Sequence, residues 1–438
     1  MEKKETYLPR LIESTIAESL KAMGCVIIEG PKWCGKSTTA ERFAKTVIKL
    51  QNPSIFKQYK VFADVGDERL LAGERPILFD EWQKVSDLWD YIRAEIDKHS
   101  YRGAFILTGS AKPRADKNRH SGIGRIKRVV MRTMSLWESA ESTGEVSLGE
   151  LFTGQTRKSI MGKFEDNGKA ITVSGKNKYN LKDIATLLCR GGWPEAIMEP
   201  QKTNYAKSYV DTLVTTDITD VDDIKRNPAR ARSILRAYAR HVSTSAAMSV
   251  IQKDVEANDV ILDPRTLDSY INAFEKLFVI EDTEAWTPRL RSKTAIRTTN
   301  VRHFSDPSIV ATLLGASADD LMNDLNTYGL LFENFCLRDL KAYAQMIDGG
   351  VFNYHDKDGL EVDAIVHLHN SQWGAIEIKL GGETLINEGA QTLKNFAKKI
   401  DAERMQEPAF LMVLTAADKF AYRRPDGVLV VPIGCLRD

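Results

Sequence analysis

One short stretch constrains this chain more than any other: Gly30-Pro-Lys-Trp-Cys-Gly-Lys-Ser37. It fits G-x-x-x-x-G-K-S/T, follows the apolar run Cys25-Val-Ile-Ile28 and precedes a helix-like stretch from Thr38 to Leu50. A strand, a glycine-bearing turn and a helix in that order make a cradle for phosphate. Gly30 and Gly35 let the backbone curl so that its N–H groups face inward. Pro31, Lys32, Trp33 and Cys34 form the turn between them, and Thr38 continues it into the helix. Lys36 is expected to reach the β- and γ-phosphates, and Ser37 to offer its hydroxyl to Mg²⁺. The bland alternative is a glycine turn with no ligand, so a second element has to decide.

That element is Pro76-Ile-Leu-Phe-Asp80-Glu81, an apolar strand that ends in two carboxylates. An acid at the end of such a strand holds Mg²⁺ together with the loop hydroxyl, which gives Asp80 the metal role. The next acid polarises the attacking water, so Glu81 is the expected general base. A third strand, Ala104-Phe-Ile-Leu-Thr-Gly-Ser110, ends in hydroxyl residues and reads as a sensor strand between the other two. Thr108 or Ser110 would detect the γ-phosphate. Three strands in this order predict a nucleoside triphosphate hydrolase with ATP and Mg²⁺ as its cofactors.

Composition narrows the partners. A chain of 438 residues has room for two or three domains. With 61 basic and 60 acidic residues, no global field for polyanions exists, so any nucleic-acid role rests on local patches. The five cysteines are scattered without a C-x-x-C pair, which argues against a zinc site and suits a reducing compartment. No apolar run reaches the length of about 18 residues that a membrane span needs. Met1-Glu-Lys-Lys-Glu5 is charged rather than leader-like, and a cytoplasmic location is the expectation.

Along the chain, Tyr7 to Met23 reads as an amphipathic helix packed on the core, Val61 to Asp64 as a second strand, and Trp82 to Lys98 as a helix whose tryptophans are core. Pro113 to Arg128 is rich in Arg, Lys and Gly. Three readings stand for it: a solvated basic loop, a patch for a nucleic-acid backbone, or an arginine finger acting on a neighbouring copy. The finger is best placed at Arg125 and would imply a homo-oligomer.

Gly30 to Ser37, Ile77 to Glu81, Leu107-Thr-Gly-Ser110, Gly124-Arg125 and Met134-Ser-Leu-Trp-Glu138 together resemble a large bacterial and archaeal family of AAA-type P-loop ATPases with a C-terminal domain of unknown function. Arg190-Gly-Gly-Trp-Pro-Glu195, Asp217-Ile-Thr-Asp220, Pro228 to Thr244 and Leu331-Phe-Glu-Asn334 look like that second part. The resemblance implies an α/β fold, a parallel sheet with an additional strand and a helical lid. In that lid Arg190 is either a second sensor of the nucleotide or part of a structural Gly-Gly-Trp-Pro corner.

Residues 150 to 180 read as an exposed insertion. The acids Asp217, Asp220, Asp222 and Asp223 read as a solvated surface, and Ser243-Thr-Ser245 as a helix cap. Ser249 to Val255 and Pro264 to Phe278 are expected helices, Val279 to Trp286 a strand, and Arg289 to Arg297 a basic strand. That order resembles a winged helix, which would turn Arg265, Asp268, Ser269 and Asn272 toward DNA. Farther on, a helix with Glu333, a strand with Asp363 and a strand with Glu377-Ile-Lys379 resemble the PD-(D/E)xK nuclease fold. The resemblance implies Mg²⁺ on Asp363 and Glu377, water activation by Lys379, completion by Glu333 and help from Gln391. The expected division is an ATPase domain at 1–150, a linker and lid at 151–205, a winged-helix-like α+β module at 206–310 and a nuclease-like α/β domain at 311–438. The function expected is ATP hydrolysis coupled to action on or near DNA. The alternative is a nucleotide-gated protein-interaction switch with an inactive, docking nuclease-like fold.

Overall fold

The computed structural model describes residues 7–111, 123–153, 173–200, 205–222, 224–257, 261–287, 299–400 and 406–438. The chain divides into two compact units: Met1–Thr133 with Asp217–Lys225 and Asn272–Val279, and the remainder.

The first unit is built on a parallel sheet of strands β1 (Cys25–Glu29), β2 (Thr46–Lys49), β3 (Ile77–Asp80), β4 (Phe105–Gly109) and β5 (Ile126–Val130). Their order is β2-β3-β4-β1-β5, so β4 lies between the loop strand and the acidic strand. This is the additional-strand arrangement that the sequence predicts. β1, β3 and β4 are buried along their whole length, as unbroken apolar runs of a sheet covered on both faces must be. On one face Ile12 and Ile16 of helix α1 (Ile12–Ala22) pack with Val26, Ile28, Leu78 and Ile106. On the other, Phe62, Trp82, Trp89 and Ile92 close over Ile27, Phe79 and Leu107. The two tryptophans are core, as expected.

Two local expectations fail. The helix after the loop, α2, spans only Lys36–Glu41, and the chain then enters β2 rather than staying helical to Leu50. Val61 to Asp64 is not a strand but the end of helix α3 (Pro53–Val65). Asn52 caps that helix, its Oδ1 accepting the Ser54 N–H at 3.0 Å; Pro53 starts it, and Gly66 at φ 67° stops it.

The second unit carries a mixed seven-stranded sheet. Strands Gly349–His355, Glu361–Leu368 and Trp373–Lys379 form an antiparallel meander. Helix Glu383–Lys399 then crosses over to Leu411–Thr415, which pairs parallel with Trp373–Lys379. Helix Leu325–Met346 precedes the meander and packs on it. Preceding it in the chain is a helical region that includes Leu181–Arg190, Pro228–Arg240, Met248–Glu256 and Pro307–Leu314. The chain is helical from Tyr205 through a π turn at Leu213–Asp217 to Asp220, and Asn227-Pro228 starts the next helix. Ser243 does not cap the next helix, Met248–Glu256, whose N-cap is Ala247 with no side-chain cap. Val279 to Trp286 makes isolated bridges (Ile280 to Phe304, Thr283 to Val301, Ala285 to Asn353) rather than a strand.

The Gly-Gly-Trp-Pro stretch is a structural corner. A Cβ on Gly192 would lie 2.2 Å from the Met134 carbonyl oxygen, and one on Gly191 2.4 Å from Ser308 Oγ. Asp306 Oδ2 accepts the Gly192 N–H (2.9 Å), and Arg338 bridges Asp306 to Asp339 inside the core. Arg190 spends both terminal guanidinium nitrogens on Glu141 at 2.6 Å each, which favours the corner over the sensor reading.

Candidate nucleotide site and an acid–lysine cluster

The loop between β1 and α2 takes the conformation that its glycines permit. Gly30 has φ 152° and Gly35 φ 101°. A Cβ on Gly30 would fall 2.0 Å from the Met131 carbonyl oxygen, so no other residue fits there without moving the backbone. Trp33, at φ 65°, leaves its indole half exposed, and Cys34 is buried with Sγ 3.5 Å from Met131 O. Arg10 braces the loop from behind, donating to Cys34 O at 2.6 Å and Arg132 O at 2.8 Å. Sequence reasoning missed this residue. Lys36 is buried within the curl, its Nζ donating to the carbonyls of Gly30 (2.9 Å) and Pro31 (2.7 Å). Thr38 is exposed on α2.

The acids converge on this loop. Ser37 Oγ donates to Asp80 Oδ1 at 2.5 Å, and Thr108 Oγ1 donates to the same oxygen at 2.6 Å. Asp80, 3% exposed, thus joins the loop to the strand between them. The register makes this possible, because Asp80 on β3 stands directly beside Thr108 on β4. Glu81 takes a left-handed backbone (φ 56°), rare for a residue with a side chain and a mark of a constrained direction. Ser110 Oγ and Gln83 Nε2 donate to its two carboxylate oxygens. A hydroxyl and a carboxylate at hydrogen-bond distance form a hard-oxygen donor set that fits Mg²⁺.

Arg125 is elsewhere. Its carbonyl accepts the N–H groups of Gly24 and Cys25 at 3.1 Å, at the start of β1 and five residues before the loop. At a rise of about 3.3 Å per residue, that places it roughly 16 Å from the loop. Its exposed guanidinium pairs with Asp97 at 2.7 Å. It does not serve the loop of its own chain. Of the other basic residues of that segment, Arg114, Lys117, Arg119 and His120 lie outside the described residues, as does the basic strand Arg289 to Arg297 of the winged-helix expectation. On the helix Pro264–Lys276, Arg265, Asp268 and Asn272 are exposed, whereas Ser269 is taken up by Arg226 Nη2, which bonds its hydroxyl at 3.0 Å and its carbonyl at 3.1 Å.

In the second unit Glu333, Asp363, Glu377 and Lys379 do meet. Lys379 Nζ lies 2.8 Å from Glu377 Oε2 and 3.4 Å from Asp363 Oδ2, and the Ile378 N–H donates to the same Asp363 oxygen at 2.7 Å. Alternate positions on one strand put Glu377 and Lys379 on one face. Burial pushes the Glu377 carboxyl up to about 8, with the Asp363 charge adding to it. Burial and Asp363 likewise hold Glu333 well above the usual carboxylate range. Lys379 stays charged because Asp363 and Glu377 outweigh its burial. Gln391 is exposed and bonds Asn395 at 2.8 Å, so it takes no part.

Two further residues reach Glu333 that the sequence did not place in this site, His303 and Ser243. His303, buried and held neutral by desolvation, has Nε2 at 3.4 Å from Glu333 Oε1 and 3.3 Å from Ser243 Oγ, with Nδ1 at 2.9 Å from Thr283 Oγ1. Among the described residues no group of three or more His, Cys, Asp or Glu side chains converges as a metal site. Lys379 already occupies the space between Asp363 and Glu377, the two expected metal ligands, so this cluster lacks the fit found at the loop. No described helix is long and apolar enough to cross a membrane.

Residues 23–140 match the model of the AAA domain, residues 181–320 a domain of unknown function (DUF8612), and residues 328–436 a second one (DUF4143). None of the curated proteins matches the chain. Among solved structures, the Walker-type ATPase PABY2304 of Pyrococcus abyssi is similar at 14% identity and a TM-score of 0.41, over 71% of this chain and 97% of that one, a distant likeness that assigns no residue. The AAA match supports an ATP-binding ATPase at the level of the family. The chain is therefore an AAA-type P-loop protein that carries DUF8612 and DUF4143 in its C-terminal part.

Proposed function

We propose that this protein binds ATP with Mg²⁺ at the Gly30–Ser37 loop and hydrolyses it. The observation that carries this reading is the Asp80 carboxylate, bonded at once to the hydroxyl of the loop Ser37 and to that of Thr108. Ser37 and Asp80 would hold the metal, which supplies positive charge to the phosphate oxygens when bound. Lys36 exchanges the carbonyls of Gly30 and Pro31 for β- and γ-phosphate oxygens, a swap of neutral acceptors for charged ones that favours the complex. Glu81 accepts a proton from the attacking water, with Ser110 and Gln83 fixing both its oxygens. Thr108, bonded to both acids' backbone or side chain, links γ-phosphate contact to the metal ligand. The test is steady-state phosphate release with and without DNA. Glu81→Gln should keep ATP binding and lose about 10²–10⁴ in turnover, the usual worth of a general base; equal turnover in that variant would overturn the assignment.

A second reading concerns the C-terminal unit. The succession of helix, three strands, helix and strand, with Glu333, Asp363, Glu377 and Lys379 drawn together, favours a nuclease-like domain acting on DNA. Lys379 seated between the carboxylates favours its alternative, a docking fold driven by the nucleotide state. Metal-dependent nicking of plasmid that disappears in Asp363→Ala supports cutting; intact ATP turnover with no nicking supports docking.

A further inference from the structure

The acidic string after residue 216 was expected to be solvated, and its first member is not. Asp217 is 4% exposed, ends the π turn Leu213–Asp217, and lies 2.5 Å from Nζ of Lys32, the second residue after Gly30 in the phosphate loop. A π turn is a rare insertion that recurs at functional sites because it redirects one side chain. Here it directs a carboxylate at the loop from 185 positions away. Burial pushes that carboxyl up, Lys32 pulls it down, and the charges of Asp220 and Glu81 push it up again. Lys32 is one of the residues between Gly30 and Gly35, the stretch proposed to enclose the phosphates.

A carboxylate oxygen on a loop ammonium reproduces the contact of a phosphate oxygen. The two compete, because both are anionic and Lys32 is a compact point charge. We propose that Asp217 is a specificity-determining residue of the nucleotide site, a stand-in for a terminal phosphate oxygen on Lys32 that a nucleoside triphosphate displaces and a diphosphate does not. The proposal rests on the ATP reading above. It makes Asp217 a filter: a γ-phosphate gains Lys32 only by expelling Asp217, and the expelled carboxylate meets the charges of Glu81 and the phosphate. The segment from Ile218 to Asp222 then loses the anchor that Asp217 provides.

The experiment is equilibrium binding of a non-hydrolysable ATP analogue and of ADP, with Mg²⁺, to the wild type, Asp217→Asn, Asp217→Glu, Lys32→Ala and the Lys32→Ala/Asp217→Asn double variant. Asp217→Asn should bind the analogue about tenfold more tightly, within the usual range of coupling between sites, while ADP affinity stays within about twofold. Asp217→Glu should retain the wild-type ratio, and most of the gain should vanish in the Lys32→Ala background. The ratio of triphosphate to diphosphate affinity is unmoved by a merely structural loss, which would weaken both ligands. An unchanged ratio in Asp217→Asn, or a gain that persists fully without Lys32, overturns the proposal. Absence of nucleotide binding by the wild type overturns instead the ATP reading on which it rests.

Discussion

The two acidic sites of this protein use the same materials and balance them differently. At the loop, Asp80 is satisfied by two neutral hydroxyls, and Lys36 is satisfied by two neutral carbonyls. Charges of opposite sign stand near one another, each holding uncharged partners. In the C-terminal unit, Lys379 sits directly on Glu377 and near Asp363, and burial holds protons on Glu377 and Glu333. Neutral partners can be exchanged for a metal and a triphosphate with a gain in electrostatic energy. An internal ion pair has to be broken first, and breaking one inside a protein leaves an uncompensated charge. The first site is arranged for exchange and the second is already balanced.

That contrast is tested most strongly by replacing the two lysines. Lys36→Met should abolish ATP binding and with it turnover, a loss of 10²-fold or more, yet cost only about 1 kcal/mol of stability, the net worth of hydrogen bonds to carbonyls. Lys379→Met should leave ATP turnover intact and destabilise the C-terminal unit by about 3 kcal/mol, because the Asp363 carboxylate beside it loses its counter-ion. Urea unfolding followed beside phosphate release separates the two outcomes. Equal stability losses would remove the distinction between an exchangeable and a balanced site.

A smaller effect follows from Glu377. A carboxyl raised from 4.5 to about 8 keeps its proton in the folded chain where the unfolded chain has released it. Between those values the folded state binds more protons, so its stability falls as pH rises, and the penalty is fully present above about 8. Glu377→Gln, which cannot ionise, should flatten that fall in melting temperature between pH 5 and 8. A slope unchanged in this variant would show that Glu377 ionises normally in the folded unit.

How much of this was readable beforehand depends on the range of the interaction. The loop, the β3 acids and the hydroxyls of β4 are legible because each motif is contiguous and the register of adjacent strands brings Asp80 beside Thr108. The Glu-x-Lys pair is legible because alternation on one strand sets its face. Val61-Phe-Ala-Asp64 taken alone reads as a strand, although Asn52-Pro53 and Gly66 mark the start and stop of helix α3 in plain chemistry. Asp217, His303 and Ser243 were invisible for a different reason. Local composition around Asp217 is that of a surface, and its partner is a lysine in the loop, 185 positions away. His303 and Ser243 reach Glu333 across 30 and 90 residues respectively, and nothing in their own segments announces a partner. For Arg190 the sequence leaves a sensor and a structural corner open, and the distant Glu141 decides between them by taking both terminal nitrogens.

The smallest expected effect belongs to Arg125. Its ion pair with Asp97 is exposed on both sides, and such pairs are worth well under 1 kcal/mol, so Arg125→Ala should melt within a degree or two of the wild type. Its distance from its own loop means that a single chain should hydrolyse ATP equally well without it. The measurement that gives this variant meaning is turnover as a function of protein concentration. If the wild type gains activity on association and Arg125→Ala does not, while mixing with Lys36→Met chains restores turnover, the arginine completes a neighbour's site, since each mutant then supplies what the other lacks. Concentration-independent turnover that matches the wild type leaves Arg125 as a surface pair at the far edge of the sheet. The nucleotide site would then be complete within one chain, with Lys32 and Lys36 as its cations.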